Sequence, residues 1–276
     1  MMNKEKFLES LSLDKKIIDR EIQSYFNPKN KLEEAMVYAT DGGKRIRAFL
    51  YLETKKMFSQ NISELDYKLA MSIEFIHAYS LVHDDLPAMD DDDYRRGKES
   101  VHKKFGEDIG ILTGDSLLNE AALVLFDIGI KDSSYLKASS YILERASRYG
   151  MIEGQVMDLR RESTYDLSYL LEVYKKKTSD LFKAACLAAA LTSNETEDTY
   201  RKIEVFAENL GLAFQIQDDL LEDTYKDELN ILNVMEKQDA IKLLDEVDNN
   251  ARNSIRDFKN NEVLSYLIDY LSSRSY

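Results

Sequence analysis

The chain has 276 residues, is 44% hydrophobic and carries a formal charge of -14 at pH 7. Its length and apolar content exclude wholesale disorder, and its acidity argues against a nucleic-acid partner, since phosphate backbones are bound mainly through basic surfaces. A single cysteine, Cys186, excludes an intrachain disulfide, residues 1–7 carry no apolar leader, and no stretch reads as long and uncharged enough to span a bilayer, so a cytoplasmic protein is expected.

With only 10 Gly and 2 Pro, long helices are favoured and hairpin turns disfavoured, which predicts an all-α fold. In chain order the pattern gives an amphipathic helix over 6–25, a short one over 31–39, and one over 44–58 opened by Gly42-Gly43. The helix over 66–85 follows, apolar on nearly all sides between Ala70 and His83 and therefore buried. Further helices are expected over 101–105, 109–128, 133–161, 166–192 and 197–223, then two more polar ones. The small residues of 184–190 suit close helix packing. No linker, repeat or low-complexity segment divides the chain, so one domain over 1–276 is expected.

Where the buried helix over 66–85 ends, six acids fall within ten residues, Asp84 to Asp93, and run into Arg95 and Arg96. Such charges repel unless cations occupy the cluster. Mg²⁺ fits, because it takes one or two carboxylates and completes its shell with waters and substrate phosphates; the arginines suit phosphates. At helical spacing Ser80 and His77 share a face with Asp84, and Pro87 stops the helix. A solvated loop is the alternative for any acidic run, but a buried helix ending in acids points them into a cavity. An EF-hand is excluded, since Arg95 stands where that loop needs glycine.

A second acidic group, Asp218, Asp219, Glu222 and Asp223, closes the helix that contains apolar Leu210-Gly211-Leu212-Ala213-Phe214. Acids are unfavourable at a helix C-terminus, so a solvated helix end explains them poorly. Two acid-ended buried helices suggest facing carboxylate walls with metal and diphosphate between them. Lys44, Arg45 and Arg47 follow two glycines at a helix start, where backbone N–H groups also attract anions, and Lys175, Lys176 and Lys177 precede Thr178. Each cluster alone reads as a solvated face. Three basic clusters and two acidic ones suit two diphosphates.

Gly43-Lys44-Arg45 with Arg47, the run from Ile76 to Asp85 continued through Arg95-Arg96-Gly97, Lys177-Thr178, and Phe214-Gln215-Ile216-Gln217-Asp218-Asp219 resemble the short-chain trans-polyprenyl diphosphate synthases. Pro87-Ala88, which widens the first acidic motif, is similar to the bacterial farnesyl diphosphate synthase branch. The resemblance runs from about Lys31 to Asp223 and implies a single-domain all-α bundle around a deep central cavity, a homodimer, and three Mg²⁺ ions. By matching residues, Asp84 and Asp90 would hold two metals and Asp218 the third, with Asp85, Asp219 and Glu222 supporting. Lys44, Arg45, His77 and Arg96 would bind isopentenyl diphosphate. Arg95, Gln155, Lys177, Thr178 and Gln215 would face the allylic diphosphate, dimethylallyl or geranyl. Lys177, Thr178 and Gln215 with Asp84 and Asp218 would carry the catalysis. Tyr79 and Ser80 would floor the cavity, and a bulky Tyr79 implies a fifteen-carbon product.

The implied reaction is a head-to-tail condensation to farnesyl diphosphate. Its physical logic suits these groups: cations stabilise the departing diphosphate, neutral dipoles of Thr178 and Gln215 face the allylic cation, and the diphosphate can take the released proton. No Ser-His-Asp or Cys-His set is expected among the 3 histidines, and His83 and His102 read as structural. Two departures stand out. Glu222 replaces the family's third aspartate, and residues 224–230, with Lys226 their one lysine and no glycine, replace a longer lid. The alternatives are a geranyl or geranylgeranyl diphosphate synthase and a catalytically weak diphosphate-binding or regulatory subunit. A terpene cyclase ranks last, because it has no second diphosphate for Lys44, Arg45, Arg95 and Arg96 to hold.

Overall fold

The computed structural model describes residues 2–161, 164–222 and 229–273, and helices supply nearly all of their regular structure. α1 (Lys4–Tyr25) and α2 (Lys31–Thr40) start at Asn3 and Asn30, whose side chains accept from the N–H groups of Lys6 and Glu33. α3 (Ile46–Phe58) leads to α4 (Glu64–Asp84), which opens with a reciprocal capping box between Ser63 and Asp66. Every residue of α4 from Leu69 to Ile76 is buried, as its all-round apolar sequence predicts. It is enclosed by α1, α2, α3, α6 (Glu107–Lys131) and α10 (Asp180–Thr192). The small residues of α10 let it lie between α3, α7 (Leu136–Ala146) and α11 (Glu197–Leu221). The large core spans α1 to α13 (Glu262–Ser272). A smaller cluster joins α9 (Leu167–Tyr174), α11 and α12 (Lys237–Ile255) around Leu170, Ile216 and Leu244.

Four features differ from expectation. The helix predicted over 133–161 is broken into a 3₁₀ turn (Ser133–Tyr135), α7 and α8 (Met151–Leu159). At Gly150 the chain passes so close to the Arg145 carbonyl that an added Cβ would lie 2.0 Å from its oxygen, so glycine is required and the helix cannot run through. The helix predicted over 166–192 is interrupted by a π-helical turn, Lys175–Ser179. A hairpin exists after all: β1 (Tyr94–Arg95) pairs with β2 (Lys98–Glu99) across α5's (Val101–Phe105) leading loop. Its two turn residues, Arg96 (φ 54) and Gly97 (φ 77), both adopt the positive φ that a two-residue type I′ turn demands. Lastly, α6 is long and apolar enough, by length and composition alone, to cross a membrane, where none was expected. One of its faces packs on α4 and α2; the other leaves Ile111, Leu112, Leu123, Phe126 and Ile130 exposed.

Candidate active site

A cavity of about 1110 Å³ is enclosed by the C-terminal ends of α4 and α11, the turn before α3, the hairpin, α8 and the π-helical turn. It gathers Lys44, Arg45, His77, Tyr79, Ser80, Asp84, Arg95, Arg96, Gln155, Lys177, Thr178, Gln215 and Asp218. An adjoining cavity of about 380 Å³ shares Lys177, Thr178 and Gln215 and adds Asp90, Asp219 and Glu222. Of the residues singled out from sequence, Asp85 lines neither of these two.

The basic wall grows from the turn before α3. Gly43 allows two guanidiniums over the backbone: an added Cβ would lie 2.8 Å from Arg45 Nη1 and 3.2 Å from Arg96 Nη1. Arg45, left-handed at φ 59, donates from Nε to Asp19 (2.8 Å) and from Nη2 to the Thr40 carbonyl (2.6 Å), with Glu74 at 3.5 Å. Its charge is met by the protein, and it ties α1, α2 and α4 together. Arg47 behaves differently. Its Nη1 is 3.2 Å from His77 Nε2, its guanidinium lies 5.2 Å over the Phe182 ring, and its buried Nε has no hydrogen-bond partner among the described residues. Burial pushes its pKa down to about 10, Arg96 acting the same way against Glu74 and Asp218. Burial, then Arg47 and Arg96, hold His77 well below the ordinary imidazole range, so it is neutral. From sequence Arg47 was one of three cations in a cluster suited to diphosphate, with no substrate of its own; the available signal was that residues 44–47 cross a loop-to-helix junction, where consecutive side chains diverge.

The acidic wall begins where α4 ends. The Asp90 N–H donates back to the Asp84 carbonyl at 2.9 Å, wrapping the loop over the helix end. Burial pushes the Asp84 carboxyl up to about 6, with Asp90 adding to it and Lys177 opposing; burial raises Asp90 as well. Asp85 is engaged elsewhere: it accepts from Arg95 Nε (2.8 Å) and Nη2, while Arg95 also reaches Asp92 at 3.1 Å. On α11, buried Asp219 accepts from the Tyr174 hydroxyl, the Ile231 N–H (2.7 Å) and Gln215 Nε2 (3.2 Å), and burial pushes its carboxyl up to about 7. Glu222 accepts from Asn230 Nδ2 at 2.8 Å. Asp223 and the short segment 224–228, including Lys226, lie outside the described residues.

Between the walls stands the π-helical turn. Burial alone would lower the pKa of Lys177, but Asp158, 2.5 Å from its Nζ, and Asp84 outweigh burial and hold the ammonium above its ordinary range. The Thr178 hydroxyl donates to Gln215 Oε1 at 3.0 Å. Both amide atoms of Gln155 are buried with no hydrogen-bond partner among the described residues, a state that calls for a ligand. The Tyr79 ring stands edge-on to His83 at 5.7 Å, and the Ser80 hydroxyl turns back to the His77 carbonyl at 3.0 Å. His83 Nε2 lies 3.0 Å from the Ile111 carbonyl oxygen and His102 Nδ1 3.0 Å from Ser100 Oγ, both contacts within the scaffold. Asp158 is the second residue that sequence reasoning left without a role.

Among the described residues no three Asp, Glu, His or Cys side chains form a closed cage for a cation. Mg²⁺ does not need one, because substrate phosphates and water fill most of its shell. Oxygen-only donors, part-buried at Asp84 and Asp218 and exposed at Asp90, fit that ion.

The chain matches the family model described as Polyprenyl synthetase over residues 29–236. It is 36% identical over 203 residues to farnesyl diphosphate synthase of Micrococcus luteus, covering 73% of this chain and 69% of that protein. It is 43% identical over 195 residues to farnesyl diphosphate synthase of Escherichia coli (strain K12), covering 68% and 65%. The fold superposes on the crystal structure of an FPP/GFPP synthase from Zymomonas mobilis with a TM-score of 0.89 at 29% identity, over 97% of this chain and 100% of that one. Geranyltransferase from Legionella pneumophila gives 0.88 at 29% identity over 99% and 98%.

Proposed function

We propose that this chain, which belongs to the polyprenyl synthetase family, condenses isopentenyl diphosphate head-to-tail with dimethylallyl or geranyl diphosphate to give farnesyl diphosphate in the presence of Mg²⁺. The observation that carries the reading is one cavity with a cationic wall around neutral His77 on one side and part-buried Asp84 and Asp218 on the other. Names of relatives support it, farnesyl diphosphate synthase recurring among them.

On this reading Lys44, Arg47, His77 and Arg96 receive isopentenyl diphosphate, and Arg45 holds the wall from behind. Arg95, Gln155, Lys177, Thr178 and Gln215 face the allylic diphosphate. Asp84, Asp90 and Asp218 hold the Mg²⁺ ions, three with substrate bound, while Asp85, Asp219 and Glu222 anchor the walls that carry them. Mg²⁺ held there would supply charge neutralisation for the departing diphosphate. Lys177, held between Asp158 and Asp84, meets that charge with a fixed ammonium. The Thr178 hydroxyl and Gln215 amide give the allylic carbon neutral dipoles and no strong nucleophile. Neutral His77 offers hydrogen bonding without competing charge. Leu118, Met151, Val156 and Phe214 give the hydrocarbon tails an apolar enclosure, with Tyr79 as its floor.

The reading extends to a cytoplasmic enzyme of one domain, since α11 carries residues of both core clusters. It also extends to a homodimer built on the exposed apolar face of α6. A second reading, a diphosphate-binding subunit of weak activity, is favoured by Glu222 and Asn230, which bond to each other with only 223–229 between them. Diphosphate release separates the readings. A synthase releases it only with both substrates and Mg²⁺; a cyclase or hydrolase releases it from the allylic substrate alone. A binding subunit releases none.

A further inference from the structure

Lys177 and Thr178 do not sit on an ordinary α-helix. They belong to the π-helical turn Lys175–Ser179, which joins α9 to α10, and such turns recur where side chains must be re-aimed at a functional site. Two glycines from two other helices press against it. At Gly154 of α8 an added Cβ would lie 2.3 Å from the Lys177 amide nitrogen, 2.7 Å from its Cα and 2.8 Å from the Lys176 carbonyl carbon. At Gly211 of α11 it would lie 2.5 Å from Ser179 Oγ, 2.6 Å from its Cα and 2.7 Å from its Cβ. Most of these contacts are with backbone, which cannot swing aside as a side-chain end can. Glycine is disfavoured inside helices, so its use on both flanks of one turn requires a reason. Ser179 adds a hydrogen bond to the Glu208 carbonyl at 3.1 Å, fastening the turn to α11.

We propose that Gly154 and Gly211 are positioning residues for the condensation: their close approach clamps the π-helical turn and sets the direction from which Lys177 and Thr178 enter the cavity. The proposal rests on the functional reading above. In the clamped turn Lys177 Nζ lies 2.5 Å from Asp158 and Thr178 Oγ1 lies 3.0 Å from Gln215 Oε1. Alanine at 154 must move the Lys177 backbone by about 1 Å to restore ordinary contact, and a displacement of that size can cost about a hundredfold in rate.

The test compares the full-length wild type with Gly154→Ala, Gly211→Ala, Lys177→Ala and the Gly154→Ala/Lys177→Ala double variant. Turnover with Mg²⁺ and both substrates, the KM for isopentenyl diphosphate, Mg²⁺-dependent binding of inorganic diphosphate and the thermal melt are measured. Each glycine variant is expected to melt as a folded protein and to lose about a hundredfold in kcat. The KM for isopentenyl diphosphate, whose proposed ligands lie on α3, α4 and the hairpin, is expected to stay within about twofold. In the double variant the two losses in kcat should fall well short of multiplying, because the glycine acts in part through the lysine and in part through Thr178. Wild-type kcat in Gly154→Ala, losses that multiply in the double variant, or failure of both glycine variants to fold would overturn the assignment. A wild type that neither turns over nor binds inorganic diphosphate would overturn the functional reading and the assignment with it.

Discussion

Arg45 and Arg47 stand two positions apart and have opposite duties. The guanidinium of Arg45 is engaged by Asp19, Thr40 and Glu74, whereas that of Arg47 faces His77 through Nη1 and keeps a buried Nε with no hydrogen-bond partner among the described residues. Arg45→Ala takes the cation from buried Glu74, which keeps the Ala48 N–H, and one of two cations from Asp19, which keeps Lys15, and should cost about 3 kcal/mol of stability in denaturant unfolding. Arg47→Ala should instead raise the KM for isopentenyl diphosphate by roughly ten- to a hundredfold while unfolding nearly as wild type does. The reverse pattern would exchange their roles. The sequence showed an anion site over residues 44–47 but not which arginine serves it, because that depends on α3 starting at Ile46 and on Arg45 taking a left-handed conformation. Tyr79 was singled out through the resemblance, and it lines the cavity. Tyr79→Ala should open the cavity floor and lengthen the product beyond fifteen carbons in chromatography of the dephosphorylated alcohols. An unchanged chain length would move the floor elsewhere.

At the scale of elements, α4 and α11 were legible because all-round apolar sequence ending in acids leaves few other packings. The breaks were not. Helical periodicity runs unbroken through both the turn before α8 and the π-helical turn; the first break lies where Gly150 passes the Arg145 carbonyl five residues before it, and the second where Gly154 and Gly211, from other helices, press on Lys177 and Ser179. The hairpin escaped notice because Arg96-Gly97 lacks the Asn-Gly or Asp-Gly signature of a type I′ turn, yet it is what carries Arg95 to Asp85 and brings Arg96 over Gly43. The outer face of α6 is the element with the plainest consequence. Phe126 is 64% exposed and Ile130 83%, an apolar surface that suits the proposed homodimer. Phe126→Glu should leave the melt almost unchanged and shift sedimentation from dimer to monomer; a dimer that survives would place the interface on another face.

Across the whole molecule, acids are held in places that disfavour their charge. Burial pushes Asp14 up to about 6 despite Lys56, 2.8 Å away, and pushes Asp248 up to about 6 as well. A carboxyl raised above its unfolded value stabilises the fold below that value and loses the contribution as pH rises through the folded one. Neutral His77 pulls the other way, so the acids are tested by replacement: in chelator-treated protein Asp14→Asn/Asp248→Asn should lower resistance to denaturant at pH 5 relative to pH 8 by about 2 kcal/mol compared with the wild type; an unchanged pH dependence would mean that these acids are ionised comfortably. The same tension marks Asp84 and Asp219, as expected of an acidic wall that receives cations and diphosphate opposite a cationic one. The most direct test supplies geranyl diphosphate, isopentenyl diphosphate and Mg²⁺ to the wild type and to Asp84→Ala, then identifies the product. Farnesyl diphosphate from the wild type, lost with chelator and in Asp84→Ala, is the predicted result. Mg²⁺-dependent diphosphate binding without any condensation, or full product formation by Asp84→Ala, would contradict it.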